Sequence, residues 1–259
     1  MAAPKRRSAL TGQQLQEVLA LMKGADSVEL KLTVPEGNTN ATVKALGIDP
    51  LDARVRQVFF FDTPDLKLND AGVVVRARRI QDAAADSVVK LRPVIPDEIA
   101  PELRTDPAFG VEVDAMPGGY VCSASLKGTS TNAEVWETAA GARSPRKLFS
   151  KAQRRYFEAN APKGIALDDV SVLGPVNLLK LKFKPKELQQ KMAVELWFYP
   201  NGSRILELST KCAPAEAFQV AAEAQAYLSG RGIDLTGEQQ TKTKSALTYF
   251  SKVLAKAAR

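Results

Sequence analysis

The chain has 259 residues, of which 45% are hydrophobic and 25% charged, as expected of a globular protein. Lysine and arginine total 36 against 29 acidic residues, a net charge of +7, which favours an anionic partner. Histidine is absent, which excludes Ser-His-Asp and Cys-His catalysis and histidine metal ligands. The two cysteines lack CxxC spacing, so a bound metal would need oxygen ligands, as Mg²⁺ or Mn²⁺ does.

The N-terminal region predicts a cytoplasmic protein that does not contact a membrane. Residues 1–7 are basic, but no apolar core of a signal peptide follows them. No apolar run approaches the roughly 20 residues that span a bilayer. We therefore expect a tail and helix over residues 1–24 and one domain over residues 25–259.

The pattern of the chain predicts many short strands joined by turns. After a helix from residue 11 or 12 to residue 22, apolar residues alternate with polar ones from Asp26 to Val34, as in a two-faced strand. Further strands are predicted at residues 55–62, 66–68, 73–80, 87–93, 109–115, 176–184, 191–199 and 203–211. Asn201-Gly202 is a strong signal for a hairpin turn.

Helical patterns lie between and after these strands. They are predicted at residues 40–46, 133–140, 146–160, 214–229 and 239–256. Residues 117–175 are interpreted as a partly helical insert, and residues 214–256 as C-terminal helices. This order predicts an α+β fold, a closed sheet or sandwich with flanking helices.

Cations occupy alternate positions on at least three predicted strands. Such residues share one strand face. The pairs are Arg76 and Arg78, Lys90 and Arg92, and Lys180 and Lys182. The simpler interpretation is a solvent-exposed sheet face, but such faces usually mix both signs, and here no acid is interleaved. A closed sheet with these cations inside would need an anion to neutralise them, and a polyphosphate is suited to that role.

Several segments resemble the CYTH domain, the triphosphate tunnel metalloenzyme family. Ser27-Val28-Glu29-Leu30-Lys31 resembles its opening ExExK motif, and residues 57–68 resemble its aromatic, Asp-Thr-Pro, Asp-Leu segment. Residues 72–79 resemble its RxR strand, and residues 89–92 its KxR strand. Glu195, Arg204 and Glu207 fit its closing hairpin. The motifs occur in the family's order over residues 27–211.

The resemblance implies an eight-stranded antiparallel β-barrel that forms a tunnel. It also implies that the protein is a hydrolase that acts on inorganic or organic triphosphates and uses Mg²⁺ or Mn²⁺. Its catalytic residues would be Glu29, Lys31 and Glu207, with Glu29 and Glu207 as metal ligands. Glu112, Asp114 and Glu195 are further candidates for the metal. The expected substrate ligands are Lys31, Arg76, Arg78, Lys90, Arg92, Lys180, Lys182 and Arg204. Strict alternation places Arg204 and Glu207 on opposite faces of their strand. Arg204 would therefore face inward only if a bulge shifted the alternation between them.

The sequence departs from the family pattern at two glutamate positions. Ser27 stands in place of the first glutamate of ExExK, and Ser209 in place of the second glutamate of the last strand. A non-catalytic module that binds triphosphate or polyphosphate is therefore the alternative hypothesis. An adenylate-cyclase-like or nucleic-acid-binding protein is a further one, although the basic segment at residues 147–155 lacks interleaved stacking aromatics.

Overall fold

The computed structural model describes residues 12–235 and 242–257. The basic tail at residues 1–7 and the predicted start of the last helix at Gln239 lie outside these ranges. None of the described helices combines the length and apolar character needed to cross a bilayer.

The described residues form one closed β-barrel. Its strands are β1 Ser27–Val34, β2 Arg54–Asp62, β3 Val73–Ile80, β4 Ala85–Leu91, β5 Phe109–Met116, β6 Gly119–Ser130, β7 Ser171–Phe183, β8 Met192–Phe198 and β9 Arg204–Cys212. Around the barrel they run β1-β5-β6-β4-β3-β2-β7-β8-β9, and β9 pairs with β1. The barrel thus has nine strands where eight were predicted. Among the described strands only β1 and β5 pair in parallel, so the sheet is mainly antiparallel, as predicted.

Helices flank the barrel, as predicted. They are α1 Gly12–Lys23, α2 Thr39–Leu46, α3 Lys67–Asp70, α4 Asn132–Ala139, α5 Pro145–Leu148, α6 Lys151–Asn160, α7 Ala217–Gly230 and α8 Lys242–Ala257. The helices α4 and α6 begin with capping boxes, in which Thr131 pairs with Glu134 and Ser150 with Gln153. Such caps satisfy free N–H groups of the first turn and define where each helix starts.

One predicted strand is absent from the structure, and one observed strand was not predicted. Residues 66–68 do not form a strand, because the buried Asp62 carboxylate accepts the N–H groups of Leu68 and Asn69 and so stabilises the short helix α3. The long strand β6 lies in the segment interpreted as a partly helical insert. Its small and polar residues hide the apolar alternation by which a strand is recognised.

The outer face of the barrel is apolar and covered by helices. Phe59 and Phe61 of β2 pack with Phe149 and Phe157 of the α5–α6 region. Val28 of β1 packs with Val18 and other apolar residues of α1. Since neighbouring residues of a strand point to opposite faces, the residues that alternate with this apolar set point into the barrel.

The helix α8 closes one end of the tunnel. Ala246 and Leu247 pack against Val58, Phe60 and Trp197, which lie on the tunnel face of their strands. Arg76 and Arg78 of β3 lie directly opposite Phe60 and Val58 at the edge of this apolar plug, whereas Arg56 of β2 and Lys180 of β7 lie farther along the same face. The tunnel therefore has an apolar floor and a polar middle.

Candidate anion-binding site in the tunnel

Strand register places most of the predicted site residues on the tunnel face. Residues that lie opposite each other in the pairing share a face, so the register can be followed around the barrel. The cations on this face include Lys31, Arg56, Arg76, Arg78, Lys90, Arg92, Lys180, Lys182 and Lys211. The acids on it are Glu29, Asp86, Glu112, Asp114, Glu195 and Glu207. Cations outnumber carboxylates, which leaves the interior positively charged.

Asp114 is the centre of the largest charge cluster. Its side chain is 1% exposed, and its carboxylate lies 2.6 Å from Lys31 Nζ and 3.3 Å from Arg92 Nη2. Lys90 Nζ is 3.8 Å away. Lys31 also pairs with Glu29 at 2.9 Å. Because β6 lies between β5 and β4, the contacts of Asp114 with Lys90 and Arg92 reach past a neighbouring strand and require side chains that point inward.

A second cluster lies on β3, β4, β7 and β8. Arg78 and Asp86 form a two-pronged ion pair, with distances of 2.8 and 2.5 Å. Lys180 Nζ lies 2.5 Å from Glu195 Oε1, and the Trp197 indole N–H donates to Glu195 Oε2 at 3.0 Å. These contacts hold the Glu195 carboxylate beside Lys180 and Trp197, away from the Asp114 cluster.

Three tunnel cations make no hydrogen bond or ion pair with any described side chain. They are Arg56, Arg76 and Lys182, and the Arg56 Nε atom is buried without an acceptor. Burial, with Arg78 nearby, lowers the pKa of Arg76 to about 10. A partly buried guanidinium without an acceptor is costly unless an anion completes its hydrogen bonds.

Burial and neighbouring charge act in opposite directions on the two tunnel lysines near Asp114. Burial lowers the pKa of Lys90 to about 8, although Asp114 opposes this change. Burial also disfavours the charged form of Lys31, but the surrounding carboxylates outweigh that effect, so its pKa lies above the usual value. At neutral pH both lysines are therefore cationic. Asp114 has a lowered pKa, because the nearby cations outweigh its burial.

Three carboxylates of the tunnel suit a hard divalent cation. Glu29, Glu112 and Asp114 each offer an oxygen, and these oxygens lie within 4.8 Å of one another. Asp114 Oδ2 is buried and accepts no hydrogen bond from any described residue. An oxygen donor set of this kind fits Mg²⁺ or Mn²⁺. Glu207 and Glu195, also predicted as ligands, lie opposite each other on β9 and β8, outside this group.

The two serines at the family's glutamate positions contact the remaining acids. Ser209 Oγ donates to Glu29 Oε1 at 3.1 Å, and Ser27 Oγ lies 3.5 Å from Glu112 Oε2. Lys211 forms an ion pair with Glu112. These neutral or cationic neighbours satisfy carboxylates that would otherwise repel one another.

Arg204 does not join the site. The pairing of β8 with β9 runs without a register shift, so no bulge turns Arg204 inward. Its guanidinium lies 5.7 Å from the ring centre of Phe198, and its side chain is exposed. The prediction of Arg204 as a substrate ligand therefore conflicts with the structure.

Three charged residues of the tunnel, Arg56, Asp86 and Lys211, were not predicted from the sequence. Arg56 precedes Val58 and Phe60 on the same face of β2, so strand alternation already carried the signal. Lys211 lies two positions after Ser209 on β9, so strand alternation also indicated that it shares the tunnel face. Asp86 was assigned to a loop, and only its pairing with Arg78 places it in the tunnel.

Comparison with solved structures relates this architecture to known proteins. A candidate adenylyl cyclase from Hippeastrum with a dominant triphosphatase activity is 16% identical, covers 82% of this chain and 91% of its own, and has a TM-score of 0.61. A candidate adenylate cyclase from Bacillus halodurans is 14% identical, covers 85% of this chain and 98% of its own, and has a TM-score of 0.57. This chain has the CYTH, or triphosphate-tunnel, fold. No protein-family model and no curated protein sequence matches it.

Proposed function

We propose that the protein binds the phosphate chain of an inorganic or organic triphosphate in its tunnel and hydrolyses it with Mg²⁺ or Mn²⁺. The observation that carries this proposal is the set of inward cations that make no hydrogen bond or ion pair with a described side chain, the part-buried Arg56 and Arg76 and the exposed Lys182, in an interior where cations outnumber acids. A linear anion with several charges would satisfy them together, which a single carboxylate cannot do.

The side chains divide the chemistry between them. Arg76, Arg78, Lys90, Arg92 and Lys180 would hold phosphate oxygens and stabilise the charge that shifts toward the leaving phosphate. Lys31 is held in place by Glu29 and Asp114, so its ammonium group is already oriented when the substrate arrives.

Glu29, Glu112 and Asp114 would hold the metal, and Glu207 faces the same interior. A divalent ion, when bound, supplies a Lewis acid for the phosphate oxygens. Glu207 can orient a water molecule from the wall of the tunnel, because its side chain is buried and points inward.

Phosphate release from inorganic triphosphate, with Mg²⁺ or Mn²⁺ against EDTA, tests the proposal. We expect metal-dependent turnover, and a loss of about 10- to 100-fold in affinity for triphosphate in Arg76→Ala, the range of one charge-assisted contact. The folded protein should lose little stability, since burial and the nearby arginines outweigh the attraction of Asp86 and Glu195 for Arg76. Arg155→Ala, on an exposed site of α6, is the matched control and should leave binding unchanged.

One observation favours a second function, a tunnel that binds triphosphate without cleaving it. Lys31, Lys211 and the two serines already contact the carboxylates that a metal needs. Micromolar binding with no turnover on triphosphate or nucleotides, with either metal, would establish this function over hydrolysis. Absence of both binding and turnover would refute both functions.

A further inference from the structure

Each carboxylate of the candidate metal site already contacts an ammonium group of the protein. Lys31 Nζ lies 2.6 Å from Asp114 Oδ1 and 2.9 Å from Glu29 Oε2. Lys211 Nζ forms an ion pair with Glu112 Oε2. Two lysines on the tunnel face of the paired strands β1 and β9 thus contact all three carboxylates.

The ammonium groups and a metal ion would compete for the same oxygens. The oxygens that the three acids offer lie within 4.8 Å of one another, so an ion held by all of them would lie beside Lys31 Nζ. Mg²⁺ and Mn²⁺ need oxygen donors, and a divalent ion and an ammonium group at such short range repel each other. A divalent ion can therefore bind there only when the ammonium groups leave the carboxylates.

Asp114 keeps one oxygen that such an ion could use. Its side chain is 1% exposed, and Oδ2 is buried and accepts no hydrogen bond from any described residue. Arg92 Nη2 and Lys90 Nζ lie 3.3 and 3.8 Å from this oxygen. The site thus has a buried donor atom, while Lys31 already occupies the other oxygen of the same carboxylate.

Both lysines can transfer to a phosphate chain in the tunnel. A lysine ammonium is a point charge on a flexible stem and needs no fixed two-pronged geometry. The Lys31 side chain is 17% exposed and the Lys211 side chain 52% exposed, so both border open space. The same phosphate chain would supply metal ligands, because Mg²⁺ is usually held by one or two carboxylates together with substrate phosphates.

We infer that Lys31 and Lys211 close the metal site in the free protein, and that a phosphate chain opens it by accepting their ammonium groups. The inference rests on the proposed function, because it needs a phosphate chain in the tunnel. It adds a coupling between the two ligands: the free protein takes up little metal, and metal and phosphate chain bind cooperatively. By linkage, each ligand raises the affinity for the other by the same factor.

The affinity for Mn²⁺ without phosphate tests the closed state. Electron paramagnetic resonance measures free Mn²⁺ during titration of the full chain in phosphate-free buffer. We expect Lys31→Met to bind Mn²⁺ at least about tenfold more tightly than wild type, since one charge-assisted contact no longer competes. Lys211→Met should act in the same direction by about threefold, because its ion pair is more exposed.

Lys127→Met is the matched control, because it removes the same charge from the same face of the barrel. Lys127 lies on β6 two positions after Ser125, the pairing partner of Lys90, and its side chain is exposed. Within the described part of the chain it forms no ion pair with any of the three acids. It should leave the affinity for Mn²⁺ within about twofold of wild type.

A measurement on the wild-type chain tests the opening of the site and covers the case in which Lys31→Met does not fold. Inorganic triphosphate added in EDTA should shift the ¹³Cε signals of Lys31 and Lys211, which are assigned from Lys31→Arg and Lys211→Arg. Lys211→Met then also decides the first test, since this lysine is half exposed and its removal leaves the Asp114 cluster intact.

Equal Mn²⁺ affinities of wild type and both methionine variants would overturn the inference, and so would an equal gain in Lys127→Met. Unshifted lysine signals when triphosphate binds would also overturn it. If inorganic triphosphate does not bind in EDTA, the proposed function fails and this inference fails with it. If triphosphate binds while the affinity for Mn²⁺ is independent of Lys31 and Lys211, only this inference fails.

Discussion

At the scale of single residues, the tunnel keeps its lysines charged by different means. Lys31 has carboxylates at 2.9 and 2.6 Å, whereas the nearest carboxylate to Lys90 is 3.8 Å away. Both are removed from water, so burial dominates for Lys90 and the carboxylates dominate for Lys31. The charge of Lys90 therefore changes closer to neutral pH than that of Lys31.

The pKa of Lys90 predicts how affinity depends on pH. In the free protein this pKa is about 8, and a bound phosphate chain raises it, so above pH 8 binding must be accompanied by uptake of a proton. Affinity for inorganic triphosphate should fall as the pH rises from 8 to 9.5, by at most about tenfold per pH unit. Titration calorimetry in EDTA measures this dependence.

Lys90→Arg separates this effect from the titration of the phosphate itself. Arginine stays charged throughout this range, so the variant should bind with a flatter pH profile. Identical profiles for the variant and the wild type would contradict the assignment of the proton to Lys90.

At the scale of elements, one buried carboxylate determines the path of the chain between β2 and β3. Asp62 is 2% exposed and accepts the N–H groups of Thr63, Leu68 and Asn69 at 2.7 to 3.0 Å. Burial raises the pKa of Asp62 even though these hydrogen bonds oppose the change. The Asp-Thr-Pro segment is therefore a structural motif that anchors α3 beneath the tunnel wall.

Removal of that carboxylate should destabilise the protein without altering the tunnel charges. We expect Asp62→Ala to lower the free energy of unfolding by about 2–4 kcal/mol, because several buried N–H groups lose their acceptor. Urea unfolding measures this change. Asp65→Ala, in the same loop, is the control and should leave stability unchanged, since Asp65 and its partner Lys67 are both exposed. Equal losses in the two variants would show that Asp62 is not the anchor.

Prediction from the sequence succeeded where an element carries a clear period. The strands β1, β3 and β9 were predicted within about two residues, because their apolar and polar side chains alternate. It failed for β6, because the small inward residues Ser123 and Ser125 alternate with other small residues, Cys122 and Ala124. The polar and apolar faces of this strand therefore differ too little to be recognised from the sequence. It also failed for α3, which depends on the distant Asp62 carboxylate and not on the propensity of its own residues.

At the scale of the whole molecule, the order of the strands in the barrel creates the balance of charge inside it. Asp114 on β5 faces cations from β1, its parallel neighbour, and from β4, which lies beyond β6. The pairing of β2 with β3 places Arg56 on the same face as Arg76 and Arg78, where burial and mutual repulsion outweigh the attraction of nearby acids on Arg56 and Arg76. Folding is thus opposed by repulsion that a bound anion would relieve.

This balance predicts opposite effects of one substitution on stability and on binding. Asp114→Asn should cost about 3 kcal/mol of unfolding free energy, since Lys31, Lys90 and Arg92 lose a shared buried partner. In EDTA it should also tighten inorganic triphosphate binding, because the interior becomes more positive.

Thermal unfolding with and without triphosphate measures both effects in one experiment. Glu187→Gln breaks an exposed ion pair with Arg231 and serves as the control, which should change neither quantity. Weaker binding of triphosphate by Asp114→Asn in EDTA would refute this account of the charge balance.

The sequence by itself determined the alternation of cations on β3, β4 and β7, because the period of a strand is a local property of the backbone. It also contains motifs that resemble those of the CYTH domain, and this resemblance predicted a barrel with inward charges. Only the tertiary structure decided which carboxylates meet those cations, because Asp114 is brought to Arg92, and Glu195 to Lys180, by strand pairing. The outward position of Arg204 likewise depends on the register of β9, which no local pattern encodes.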